Sequence, residues 1–119
     1  MNLMVDSSYK QKITVELETA ETARAQGNEG MARVCARRAA GIMAREYFSH
    51  RETPIVSANA YELLGILENL AEVPENVRVS AQRLRIRVNE QFELSEPVDL
   101  IAEARNLIDA LENIIKGMS

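Results

Sequence analysis

The stretch "CARRAAGIMAREYF", residues 35–48, decides the fold. Alanine and glycine fill much of it, and its larger apolar side chains recur with the period of an α-helix. Small side chains leave a thin helix surface, which a second helix can approach closely. We therefore predict a helix over residues 28–48 at the centre of a helical bundle. Its larger apolar side chains form a predicted stripe of Met31, Val34, Cys35, Ile42 and Met43.

Another helix is predicted before the central one in the chain. Ile13, Leu17 and Ala20 fall at i, i+4 and i+7, so they share one helical face. Gly27 and Asn28 follow, and this pair is typical of the end of a helix. The two helices are therefore expected to be joined by a short turn and to run antiparallel.

Three more helical segments follow the central one. Ser57 is the predicted N-cap of the third helix in the chain, and Pro74 stands near the start of the fourth. Near the cap of the fifth helix lies Ser95 or Glu96, with Pro97 beside it. Their apolar faces are Ala60, Leu63, Leu64, Leu67 and Leu70, then Val77, Ala81, Leu84 and Val88, then Leu100, Ile101, Ala104, Leu107, Ile108, Leu111, Ile114 and Ile115. Alternation with period 2 is absent outside short loops, so no sheet is expected. Residues 1–119 are predicted to form one all-α domain, an antiparallel up-and-down bundle of four main helices plus one shorter helix.

Composition narrows the classes of protein that fit. Of the 119 residues, 46% are hydrophobic and 27% are charged, which is typical of a globular chain. No window approaches about 18 consecutive apolar residues, so no membrane span is expected. Residues 1–12 lack the apolar segment of a secretory signal. Cys35, the single cysteine, is expected to be a buried thiol, and we expect a cytoplasmic protein. The formal charge of −4 gives no general support for nucleic-acid binding.

Metal and cofactor chemistry find little support in the residue types present. His50 is the single histidine, and no Cys-x-x-Cys or Glu-x-x-His pair occurs. No glycine-rich phosphate loop follows a predicted strand. We therefore predict neither a metal site nor a cofactor.

Arginines are concentrated in the middle of the chain. Nine arginines stand against six glutamates between residues 33 and 87. Arg38 and Arg45 are seven residues apart and share a helical face, as do Arg83 and Arg87 at four residues apart. If the two helices pack side by side, these four arginines form a basic groove for a nucleotide phosphate, an RNA backbone or an acidic protein. The alternative, which we favour, is that the arginines pair with glutamates and cover apolar surface with their stems.

The order of these segments resembles the HEPN family, small antiparallel helical bundles found in higher eukaryotes and prokaryotes that bind nucleotides. Residues 35–48 are similar to the family's second helix in their Ala-Ala core, and "ANAYELLGIL" resembles the third, with its Leu-Leu pair. "RVSAQRLRIRV" and "DLIAEARNLIDALENII" resemble the closing part, so the resemblance covers roughly residues 10–116. It implies a homodimer that binds a nucleotide or a protein. A nucleotidyltransferase-type partner in a toxin–antitoxin pair is a candidate setting.

Nuclease members of this family carry an arginine, a polar residue and then a histidine shortly before the closing helix. The matching region here is "RVNEQF", where Arg87 fits but Val88 is not polar and Phe92 stands in place of the histidine. Phenylalanine cannot exchange a proton, so the resemblance implies a non-catalytic member.

A second arginine–histidine match lies in "AREYFSH", but on the predicted central helix. Arg45 and His50 are five residues apart, so a continuous helix would point their side chains about 140° apart. His50 is then expected to lie at the C-terminal end of that helix. Two alternatives to the non-catalytic module stay open: a metal-independent ribonuclease that uses His50 with Arg45 or Arg87, and a helical adaptor of merely similar architecture.

Overall fold

The computed structural model describes residues 3–51, 59–86 and 98–118, with the side chains of residues 3–7 excepted. These residues form five α-helices and no β-strand, which confirms the predicted all-α bundle. The helices are α1 (Leu3–Ala25), α2 (Glu29–Ser49), α3 (Ala60–Glu68), α4 (Glu75–Leu84) and α5 (Leu100–Gly117). None of the helices formed by the described residues has the length and apolar character needed to cross a membrane.

The turn between α1 and α2 forms where the sequence predicted it. Gly27 has a φ of +79°, a backbone conformation that glycine adopts without strain. The side chain of Asn28 then caps α2 by accepting a hydrogen bond of 3.1 Å from the amide of Met31. Because only three residues separate the two helices, α1 and α2 pack as an antiparallel hairpin.

Helix α2 packs against α1, α3 and α5, which confirms its predicted central place. Its buried surface is largely alanine (Ala32, Ala36, Ala39, Ala40 and Ala44), with Cys35, Met43, Tyr47 and Phe48. The predicted apolar stripe was wrong in part, since Met31 and Val34 are 43% and 38% exposed and Ile42 is half-buried. The reason is that close helix packing selects small residues for the inner surfaces of a central helix.

Helix α5 runs antiparallel to α1, as two contacts at opposite ends show. Arg24, at the end of α1, pairs with Asp99 at the start of α5 at 2.9 Å. The hydroxyl of Tyr9, in the first half of α1, donates to Glu112 in the second half of α5. The predicted apolar face of α5 is buried from Leu100 to Leu111, and only its last two isoleucines, Ile114 and Ile115, remain half-buried.

The helix starts differ from the predicted caps at two places. Asn59 caps α3 in a capping box with Glu62, and Asp99 caps α5 by accepting from the amide of Ala102 at 3.2 Å. Pro74, predicted near the start of this helix, is the N-cap residue of α4. Four residues that were predicted at or near helix caps lie outside the described residues: Ser57, Ser95, Glu96 and Pro97.

Candidate functional site

A cleft of about 540 Å³ opens between α1, α2 and α3. Its floor is apolar and its rim carries charged side chains. The floor exists because Gly41 lets the start of α3 approach α2: a Cβ at Gly41 would lie only 2.5 Å from the Cβ of Ala60. The lining residues are Ser8, Tyr9, Lys12 and Glu16 of α1, Arg38, Gly41, Ile42, Arg45 and Glu46 of α2, and Ala60 and Leu63 of α3.

Three cationic side chains line this cleft: Lys12, Arg38 and Arg45. All three are exposed to solvent. Arg38 and Arg45 share the cleft because seven residues make about two helical turns, so this part of the predicted arginine arrangement is confirmed. Among the described residues, Arg38 makes no ion pair, so its guanidinium group is available to an anion that enters the cleft.

Two carboxylates, Glu16 and Glu46, accompany these cations, so the five charged groups sum to +1. Glu16 also faces the buried thiol of Cys35. Burial, together with the negative charge and hydrogen bond of Glu16, raises the pKa of the Cys35 thiol above its usual value. The thiol therefore stays protonated at neutral pH and is a structural group, which agrees with its predicted burial.

His50 lines a different cavity. It is the C-cap residue of α2, as predicted from its position, and its ring nitrogen Nε2 lies 3.0 Å from Oε2 of Glu46. Both line a second cavity of about 300 Å³, where α1 and the end of α5 supply the other residues. Because α2 is continuous from Arg45 to Ser49, Arg45 lines the cleft whereas His50 lines this second cavity. The two side chains that a ribonuclease would need together are thus directed into separate spaces.

Of the other two predicted binding arginines, Arg83 does not join the cleft. Arg83 pairs with Glu103 of α5 at 2.8 Å, and it is not among the residues that line the cleft. Arg87 lies outside the described residues, as do Val88 and Phe92. The arginine of α2 that reaches α4 is Arg37, whose Nε and Nη2 donate to the backbone oxygens of Leu84 and Ile86 at 2.5 and 2.6 Å.

Sequence reasoning missed two of these features. Lys12 joins the cleft because α1 packs beside α2 in a register that no local pattern encodes. Arg37 satisfies backbone carbonyls at the end of α4, since helix ends leave such oxygens without intrahelical partners. The expectation that arginines pair with carboxylates holds elsewhere on the surface, for Arg24, Arg51, Arg83, Arg85 and Arg105.

No protein-family model, curated protein or solved structure matches this chain. Within residues 3–51, 59–86 and 98–118, no three metal-ligating side chains converge on a common point. The chemistry of the cleft is therefore the only guide to what it binds.

Proposed function

We propose that this protein is a non-catalytic, HEPN-like helical module whose cleft binds a nucleotide through its phosphate. One observation carries the proposal: Arg38 lines the cleft with Lys12 and Arg45 and makes no ion pair among the described residues. Arg24, Arg83 and Arg105, which lie outside the cleft, are each paired with a carboxylate, whereas Arg38 has no such partner in the part of the chain that the structure describes.

The shape and lining of the cleft support a small ligand with both an anionic and an apolar part. Pockets for small molecules are mostly apolar, measure roughly 300–1,000 Å³ and place a few polar groups at fixed points. Here Gly41, Ile42 and Ala60 would contact a base, while the guanidinium of Arg38 presents the forked donors that suit phosphate. The charge of Lys12 and Arg45 adds to the attraction.

Calorimetric titration of the purified protein with AMP, ADP, ATP and a short RNA at low salt tests this proposal. We expect binding of at least one nucleotide and a loss of affinity of about tenfold or more in Arg38→Ala, since a hydrogen bond to a charged group contributes about 1.5–3 kcal/mol. Added salt should weaken binding further. Arg105→Ala is the matched control, because Arg105 is an exposed arginine paired with Glu21 away from the cleft.

Two outcomes would overturn the proposal. Absence of binding to every probe at low salt would leave the cleft as ordinary surface. Metal-free cleavage of the RNA that is lost in His50→Ala would put the ribonuclease alternative first. Arg87→Ala extends the same titration to the remaining candidate arginine.

The proposal includes a homodimer, as the resemblance implies. Helix α5 buries its central apolar face inside one subunit, so that face is not available for an interface. Exposed apolar side chains are present instead at Val15 of α1 and at Met31 and Val34 of α2. Light scattering at micromolar concentration should give about twice the chain mass of 13.3 kDa, and a constant monomer mass would contradict it.

A nucleotidyltransferase-type protein as partner in a toxin–antitoxin pair belongs to the same proposal, and a gene for such a protein beside this one would support it.

A further inference from the structure

Glu46 stands between the two cavities. It lines both the cleft and the second cavity, and Tyr9 does the same, so these two side chains form the wall between the spaces. On the cleft side, Glu46 follows Arg45 and lies among the groups proposed to meet a phosphate. On the far side, its Oε2 lies 3.0 Å from Nε2 of His50. A phosphate in the cleft would therefore meet a carboxylate whose partner is a histidine.

We infer that His50 regulates anion binding in the cleft in response to pH, with Glu46 as the intermediary. This inference rests on the proposed function. A neutral imidazole leaves the negative charge of Glu46 in place, and that charge repels a phosphate. A protonated imidazole forms an ion pair with Glu46, so the net charge of the pair changes from −1 to zero and the repulsion weakens. Affinity for an anion should thus rise as the pH falls through the range in which histidines titrate.

The other charged groups around His50 are largely engaged with one another. Lys10 of α1 pairs with Glu112 of α5 at 3.6 Å, and Tyr9 donates a hydrogen bond to the same carboxylate. Lys116 of α5 also lines the second cavity. Among the described residues, Glu46 is accordingly the carboxylate within ion-pair distance of the imidazole, and the proposed link to the cleft passes through it.

Titration with AMP at pH 5.5 and pH 8.0, at low salt, in the parent chain and in His50→Gln tests the link. The phosphate of AMP itself titrates in this range, but it does so equally for both proteins, so the ratio of the two pH effects isolates His50. The phosphate is less negative at pH 5.5, so the quantity compared is the affinity at pH 5.5 divided by the affinity at pH 8.0. We expect this ratio to be about two- to threefold larger in the parent than in His50→Gln, which is the scale of an exposed ion pair. Glu46→Gln should bind AMP more tightly at pH 8.0 and lose the same pH effect.

Lys10→Gln is the matched control. It removes one positive charge from the same cavity, but Lys10 pairs with Glu112 and does not line the cleft. The pH effect should survive in this variant. A pH effect that disappears in Lys10→Gln as well would show a general charge effect and overturn the role of Glu46.

A second readout uses the single histidine of the chain. Its imidazole gives one Cε1–H signal in proton NMR, so its protonation can be followed alone. Because coupling is reciprocal, saturating AMP should move the midpoint of this titration to higher pH. Binding of AMP with an unmoved midpoint and an unchanged pH effect in His50→Gln would overturn this inference and leave the proposed function standing. Absence of AMP binding at both pH values would overturn this inference, and the proposed function would fall with it only if ADP, ATP and the RNA failed to bind as well.

Discussion

Gly41 is the residue on which the shape of the cleft depends. A Cβ at this position would lie 2.5 Å from the Cβ and 2.9 Å from the Cα of Ala60, so alanine cannot enter without a shift of α3. We expect Gly41→Ala to destabilise the fold, because overpacking costs about 1–3 kcal/mol whereas alanine gains about 0.5–1 kcal/mol in a helix. Urea unfolding followed by circular dichroism measures the difference.

Gly30→Ala is the control for this substitution. Gly30 lies in the first turn of the same helix, and a Cβ there would meet only the side chain of Asn28, at 3.8 Å. This variant should be as stable as the parent or more so. If Gly41→Ala were as stable as Gly30→Ala, the close approach of α2 and α3 would not be a constraint on the fold.

At the same scale, helical spacing predicted some side-chain positions and not others. The seven-residue spacing of Arg38 and Arg45 placed both on one face, and both line the cleft. Spacing within a helix says nothing about which neighbour faces that surface. Lys12 of α1, rather than an arginine of α4, completes the cationic set for this reason.

At the scale of the helices, the sequence predicted all five elements but not all their starts. Ser57 and Ser95 are good cap residues, and so are Asn59 and Asp99, which the structure uses. Local sequence does not choose between neighbouring cap residues. Contacts elsewhere in the fold decide: Asp99 also pairs with Arg24 of α1.

Helix α3 has nine residues, so its start matters to its stability. The side chain of Asn59 accepts a hydrogen bond of 2.8 Å from the amide of Glu62. We expect Asn59→Ala to lower the free energy of unfolding by about 1 kcal/mol, and Asn59→Asp to restore most of it. Asn69→Ala is the comparison at the other end of α3: its Nδ2 donates to the carbonyl oxygen of Gly65 at 3.0 Å, so this variant reports the loss of a side-chain hydrogen bond that does not cap the start of the helix. Equal stability of Asn59→Ala and the parent in urea would show that packing alone holds this helix.

For the molecule as a whole, Arg24 joins three helices. Its guanidinium, at the end of α1, pairs with Glu29 of α2 at 2.7 Å and with Asp99 at the start of α5 at 2.9 Å. The hydrogen bond from Arg24 holds the pKa of the Glu29 carboxyl below its usual value. Burial raises the pKa of Asp99, but the hydrogen bonds from Arg24 and the Ala102 amide outweigh it, so the net shift is also downward.

These lowered pKa values predict how stability depends on pH. A carboxyl whose pKa is lower in the folded state contributes stability above its unfolded pKa of about 4, and this contribution is lost as the pH falls through the folded value. Arg24→Gln should therefore be less stable than the parent at pH 7, and the difference should shrink between about pH 5 and pH 3. We expect the difference in the free energy of unfolding to be no more than about 1 kcal/mol at pH 7, since the side chains of Glu29 and Asp99 are 41% and 55% exposed.

Arg105→Gln, which removes a single surface pair with Glu21, should show a smaller dependence on pH. A deficit in Arg24→Gln that is the same at pH 3 and pH 7 would mean that the stem of Arg24 stabilises the three helices by packing, and that its charge does not.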